Sequence, residues 1–213
     1  MKGLLYKDFV TVFTSFKANF LLVMVLYIAM GLLFDMPYFV YLLIVLLGMY
    51  AVSTLNFDET SQWDIYARTL PVTAGQLVGS KYLLGGVLVL AGTVLTVPLM
   101  MMCGTNFAES FVGCISCAAG TLLYHAVNFP IQWKFGSAKS RTWLIVLLVA
   151  VMAGVIGVTA ALPDQVKENL LGTLNAMSNA NAILLFVGVL AAALAVYVAS
   201  WAVSVRIYRA KTF

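Results

Sequence analysis

Apolar residues run along this chain in long blocks separated by short polar intervals, without the two-residue alternation of a half-buried strand. A bilayer core about 30 Å thick requires about 20 predominantly apolar residues in a helix rising 1.5 Å per residue. Six stretches approach or exceed that length: Ala18–Phe34, Tyr38–Leu55, Tyr82–Cys103, Ser110–Trp133, Thr142–Leu162 and Ala182–Val205. The first is slightly short, and Asp35-Met36-Pro37 separates it from the second. No interval between them is long enough for a separate folded domain. The expectation is an all-α polytopic membrane protein with six transmembrane helices in one domain, 1–213. Spans one and two fill 18–55, spans three and four 82–133, and spans five and six 142–205, with a connection at 163–181 and a tail at 206–213.

Composition sharpens this. Of 213 residues, 63% are hydrophobic and 9% charged, and the mean hydropathy is +1.01. Soluble domains carry about 25% charged residues, because a globule needs polar side chains over its surface. A soluble enzyme, a nucleic-acid-binding domain and a disordered regulator are excluded. The formal charge of +4 therefore reports topology. Basic residues in short loops favour the cytoplasmic side. With the N-terminus inside, eleven of the twelve basic residues fall there and only Lys167 outside. Both termini are then cytoplasmic. Trp133, Trp143, Trp201 and Tyr208 fall at the inner interface, where amphipathic rings prefer to sit. Ala29-Met30-Gly31 lies inside an apolar run, so the start does not read as a cleaved signal peptide. Cys103, Cys114 and Cys117 form no disulfide framework.

Residues 1–17 read as an amphipathic interface helix, with Leu5, Phe9, Val12 and Phe16 on one stripe and Lys7, Thr11 and Thr14 off it. It serves either as a membrane anchor or as a lever moving with its neighbours. The longest inner connection, 56–81, holds Asp58, Glu59 and Asp64. Ser61 and Asp64 form a weak capping box, after which Trp63, Tyr66, Ala67 and Leu70 share a face of a short helix that Pro71 stops. Thr73-Ala74-Gly75-Gln76 is a cleaner capping box leading into the third span. This elbow either folds against the headgroups or docks a cytoplasmic partner. Its acids favour docking, since anionic lipid repels carboxylates. On the other side, Val166, Leu170, Leu171 and Leu174 are spaced for a short surface helix that either covers the bundle or caps an exit path. Small residues recur every four positions at Gly113, Cys117 and Thr121, and at Ala191, Ala195 and Ala199, suiting close packing within the chain or between chains.

Catalytic chemistry is hard to find. Gly75 to Tyr82 superficially resembles a phosphate-binding loop, but three residues separate its glycines, Ser80 displaces Lys81, and no strand precedes it. His125, the single histidine, lies eleven residues from Cys114, about 16 Å along a helix, too far to share one zinc ion. An intramembrane hydrolase would rest on His125 alone, without a nucleophile elbow. No span carries a deep charged pair, which disfavours a proton- or sodium-coupled carrier. What remains is a polar stripe, Thr121, His125, Asn128 and Gln132, on one side of span four. Such groups avoid lipid, and they serve either interhelical hydrogen bonds or a substrate-facing wall.

The elbow carries Asp58-Glu59, Trp63-Asp64-Ile65-Tyr66, Leu70-Pro71-Val72, Gln76-Leu77-Val78 and Lys81-Tyr82, and the chain opens with Leu5-Tyr6-Lys7-Asp8-Phe9. With six spans and both ends inside, this pattern resembles the type-2 ATP-binding-cassette (ABC) exporter permeases, among them the small bacterial permeases that export phenol-soluble modulins. The resemblance implies a non-enzymatic subunit in the bacterial plasma membrane that binds no cofactor itself. Two copies of a cytoplasmic ABC ATPase, carrying ATP and magnesium, would dock on a coupling helix through Asp58, Glu59, Trp63, Asp64, Tyr66, Arg68 and Leu70. A second permease chain, identical or different, would complete the conduit for amphipathic or antimicrobial peptides or similar amphiphiles, with no nucleic acid involved. The alternative is a non-transporting immunity or regulatory membrane protein that works by binding a partner.

Overall fold

A computed structural model of the chain describes residues 2–34, 36, 38–67, 69–161, 163, 165–166 and 179–210, with side chains at all of these except 2, 15–20, 64, 154–161 and 179–180. The element order is α1 (Lys2–Leu33), α2 (Tyr38–Thr60), α3 (Trp63–Ala67), α4 (Ala74–Met102), α5 (Phe107–Ala161) and α6 (Asn179–Ala210). Among the described residues there is no strand. Four helices, α2, α4, α5 and α6, are long and apolar enough to cross a membrane, whereas the described apolar part of α1, Leu21–Leu33, is shorter. From Lys2 to Leu33 the expected interface segment and first span run as one continuous 32-residue helix, with no break between them. Arg68 and most of the 163–181 connection, including Leu170, Leu171 and Leu174, lie outside the described residues.

The loop expected at 134–141 is a single non-helical residue. Gly136 adopts φ 79° and ψ 170°, dividing α5 into arms 107–135 and 137–161. A straight helix of 55 residues would be about 80 Å long, more than twice the bilayer core, so one break is enough to turn it into two crossing-length arms. Glycine is the residue that takes positive φ without steric cost. Phe135 and Trp143 stack at 5.8 Å across the break, although eight residues of straight helix would separate them by about 12 Å.

The elbow is shorter than its sequence suggests. Gln62, at φ 54°, turns the chain out of α2, and α3 is a five-residue turn of helix. The Ser61 hydroxyl donates backward to the Phe57 carbonyl at 2.8 Å. Ala67 is the buried member of the expected face, Trp63 and Leu70 are partly buried, and Tyr66 points outward beside Ile65. The second capping box is present. Thr73 N–H donates to Gln76 Oε1 at 3.1 Å and Gln76 N–H to Thr73 Oγ1 at 3.3 Å, satisfying two donors that α4 would otherwise leave orphaned.

The core forms where α2, α4, α6 and the first arm of α5 meet. Close approach uses small residues. Tyr41 of α2 fills the space a Cβ on Gly113 would take, and Cys117 Sγ lies 3.4 Å from the Tyr41 carbonyl, so this small-residue stripe packs inside the chain. Ala191, Ala195 and Ala199 face outward instead; α6 buries Ala193, Tyr197, Ser200 and Ser204. Ser200 has a specific task. Pro130 has no N–H to give the carbonyl four residues earlier, that of Ala126, and Ser200 Oγ donates to it at 2.5 Å. The second arm of α5 is different, exposing Trp143 and nearly every apolar side chain from Ile145 to Ala153.

Candidate functional site: a charge hub at the root of the elbow

Three contacts bring distant parts of the chain to one end of the bundle. Lys7 near the start of α1 reaches Asp58, Glu59 reaches Ser137 just past the α5 break, and Tyr208 near the end of α6 shares a small recess with Ala67 and Thr73 of the elbow. The basic residues that sequence placed on one side of the membrane thus include Lys7, Lys81 and Arg209 at one end of the fold.

At that end lies a buried ion network that sequence reading missed. Lys81, only 2% exposed, finds an acceptor for each of its three ammonium protons: Asp8 Oδ1 at 2.7 Å, Asp58 Oδ2 at 2.5 Å and Thr54 Oγ1 at 3.3 Å. Lys7 donates to Asp58 Oδ1 at 2.6 Å and lies 3.0 Å from Asp8 Oδ1. Its ammonium also sits over the Trp63 ring, 4.3 Å from the centroid, a cation–π contact that attaches α3 to the network. Two cations and two carboxylates cancel, so burial leaves no net charge. An isolated buried charge would cost several kcal/mol, roughly, and pairing offsets that cost only when geometry and hydrogen bonds are good. Here α1, α2 and α4 each contribute a charged residue, so none of the three can shift alone without unpairing another.

The network lies at the helix ends, outside the apolar spans, where Asp8 and Lys81, 73 positions apart, are brought together. On α1 the side chains that pack inward are Leu4, Asp8 and Val12, while Phe9 is among the exposed ones with Tyr6, Val10 and Phe13. The available signal was a carboxylate set at helical spacing between Leu4 and Val12, and a lysine just before an apolar run.

The expected docking residues divide into groups. Asp58 is inside the hub. Glu59 turns toward α5 and accepts from Ser137 N–H at 2.6 Å. Trp63 covers Lys7 and meets the Tyr66 ring at a tilt, 5.3 Å between centroids. Tyr66 and Ile65, 57% and 58% exposed, form the outward tip, and Leu70 is partly covered. Asp64 lies on α3 without a described side chain, and Arg68 is outside the described residues.

The polar stripe is brought together but enclosed. Thr121, His125, Asn128 and Gln132 are all buried. Asn128 Nδ2 donates to Tyr124 Oη at 3.0 Å, Gln132 Nε2 approaches Asn56 Oδ1 at 3.4 Å, and Thr121 Oγ1 donates back to the Cys117 carbonyl at 2.8 Å. His125 stacks on Phe129 at 5.2 Å and fits between Gly48 of α2 and Gly85 of α4. A Cβ on either glycine would lie 3.1–3.3 Å from the ring. The ring meets the Gly48 backbone only loosely, and neither nitrogen reaches a partner at hydrogen-bonding geometry. In this conformation the stripe is a contact between helices.

A separate apolar groove of about 500 Å³ runs between α4 and α6, bordered by Tyr82, Leu83, Val87, Leu90, Tyr197, Val198 and Trp201. At its floor Tyr82 Oη bonds Ser200 and Ser204 at 2.8 and 2.7 Å, and Tyr197 Oη donates to the Tyr82 carbonyl at 2.8 Å. The segment resembling a phosphate-binding loop forms the first turns of α4, and its lysine, Lys81, is held by the hub.

A helical chain with four helices long and apolar enough to cross a membrane points to a multi-pass membrane protein. Residues 3–209 match the family described as ABC-2 family transporter protein, nearly the whole chain, and the protein belongs to that family of ABC transporter permeases. No match was found among curated proteins or solved structures.

Proposed function

We propose that this chain is the membrane-spanning permease of an ABC exporter in a bacterial plasma membrane, driven by a separate ATPase that docks on the elbow. The observation that carries the reading is the family match over residues 3–209. The outward tip, Ile65 and Tyr66, supports it, because large apolar side chains on a short cytoplasmic helix suit a protein partner. Asp58 and Glu59 then brace the elbow from within, while Asp64, Tyr66 and Arg68 meet the ATPase. ATP and magnesium belong to that partner, present in two copies. A second permease chain, identical or different, completes the conduit, and the unpacked second arm of α5 supports such pairing.

The substrate class we propose is amphipathic peptide, of the phenol-soluble-modulin or antimicrobial kind, or a similar amphiphile. The apolar α4–α6 groove, flanked by Trp201, supports entry of an apolar face from the lipid. The polar stripe joins the substrate path if α2 and α5 part during turnover. The deciding experiment co-purifies the chain with a candidate ABC ATPase from the same genome and measures ATP hydrolysis against amphipathic peptides in nanodiscs. Tyr66→Ala and Asp64→Lys are expected to reduce ATPase recovery at unchanged membrane insertion. Normal recovery and peptide-stimulated hydrolysis in both variants refutes the docking site. An ATPase that never co-purifies with the parent chain favours the non-transporting, partner-binding alternative.

A further inference from the structure

Asp58 and Glu59 are neighbours in the last turn of α2, where successive side chains diverge by about 100°. Asp58 points to α1 and α4 through Lys7 and Lys81. Glu59 points the other way, to a residue 78 positions later, where Oε2 accepts from Ser137 N–H at 2.6 Å. That N–H opens the second arm of α5, where a helix leaves its first donors without internal partners and where its dipole favours a carboxylate. Glu59 Oε1 lies 2.6 Å from where a Cβ on Gly136 would stand, so the carboxylate occupies the space a side chain there would need. Gly136 is therefore required twice, by its φ of 79° and by Glu59. Among the described side chains of the arm, those near the clasp pack, with Ser140 buried and Trp143 stacked on Phe135, while those at 145–153 are exposed.

We infer that Glu59 is the positioning residue through which displacement of the elbow is passed to the second arm of α5, while Asp58 passes it to α1 and α4. The inference rests on the exporter reading above. A carboxylate bonded to the first backbone donor of a helix ties that turn to its own position. Glu59, one residue from Asp58 and four from the start of α3, moves with the elbow root. The two carboxylates divide one input between two sets of helices. The clasp lies at the surface, so its removal leaves the core and the hub intact.

The test uses the full chain with its ATPase in nanodiscs, carrying Cys103→Ala, Cys114→Ala and Cys117→Ala and spin labels on introduced cysteines. Ser61→Cys with Val94→Cys reports the elbow against α4, and Ile145→Cys with Val94→Cys reports the second arm. In this background both distances shift between nucleotide-free and ATP-trapped states. Glu59→Ala retains the elbow shift and loses most of the arm shift. Glu59→Gln, whose amide oxygen still accepts from Ser137, retains both, which a purely ionic role would not allow. An unchanged arm shift in Glu59→Ala overturns the inference. Loss of both shifts overturns it too, because the clasp would then hold the elbow itself. If the elbow does not respond to nucleotide even in the unsubstituted chain, the exporter reading fails, and the inference with it.

Discussion

Replacing Lys81 with methionine isolates the energetics of the hub. The side chain is 2% exposed and gives its three protons to Asp8, Asp58 and Thr54. Lys81→Met keeps the volume and removes the charge, leaving two carboxylates to share Lys7, which is 3.0 Å from one and 2.6 Å from the other. Breaking a buried pair by removing one partner costs about 3–5 kcal/mol, and the remaining Lys7 places this case near the lower end, about 3 kcal/mol. The double variant Asp8→Leu/Lys81→Met removes one charge of each sign and leaves the Lys7–Asp58 pair intact, so it should stay within about 1 kcal/mol of the parent. Two changes together are thus expected to do less harm than one, a recovery of about 2 kcal/mol that independent sites would not show. For a chain of this size a loss of 3 kcal/mol corresponds to a fall in Tm of about 6–12 °C. The assay is thermal unfolding of the purified chain in one detergent, with all variants measured together. If Lys81→Met and the double variant melt within about 2 °C of each other, less than the shift expected of 1 kcal/mol, the charges are not coupled and the hub argument fails.

Two further substitutions test the helix contacts by the same measurement. Ser200→Ala strands the Ala126 carbonyl and should cost about 1 kcal/mol, within the range of interhelical hydrogen bonds in membranes, while adding Pro130→Ala restores a backbone donor and recovers most of the loss. A Ser200→Ala defect that Pro130→Ala leaves uncorrected contradicts that assignment. Gly48→Ala sets a methyl 2.5 Å from Thr121 Cγ2 and 3.1 Å from His125 Cε1, an overpacking worth about 1–3 kcal/mol. Thr121→Ser removes that Cγ2 and should relieve part of it; no relief would mean that the histidine alone sets the limit.

Much of the helical plan was legible from the chain alone, and the reason is the solvent. Hydrocarbon offers the backbone no hydrogen bonds, so apolar blocks of the right length become helices whatever their order. The Thr73–Gln76 capping box was equally legible, being set by four adjacent residues. The interval 134–141 was less so: its polar residues read as a loop, yet one glycine was sufficient to divide the helix. Asp58 and Glu59 were legible as special, but their contacts within the chain were not, because Lys7, Lys81 and Ser137 lie 51, 23 and 78 positions away.

The amino-acid order determined that this protein lives in lipid, that it is built of helices, and which family it belongs to. It did not determine which side of each helix meets its neighbour. In water an apolar stripe marks the buried face, but lipid is as apolar as a protein core, so apolar side chains such as Phe9 and Phe13 can face outward while Val12 packs inward. The faces that must turn inward are those lipid rejects: Asp8 on α1, Lys81 on α4, Ser200 on α6 and His125 on α5. Each needs a partner or an enclosure from a distant segment, and only the tertiary structure decides which one, because the pairing depends on positions that several helices reach together.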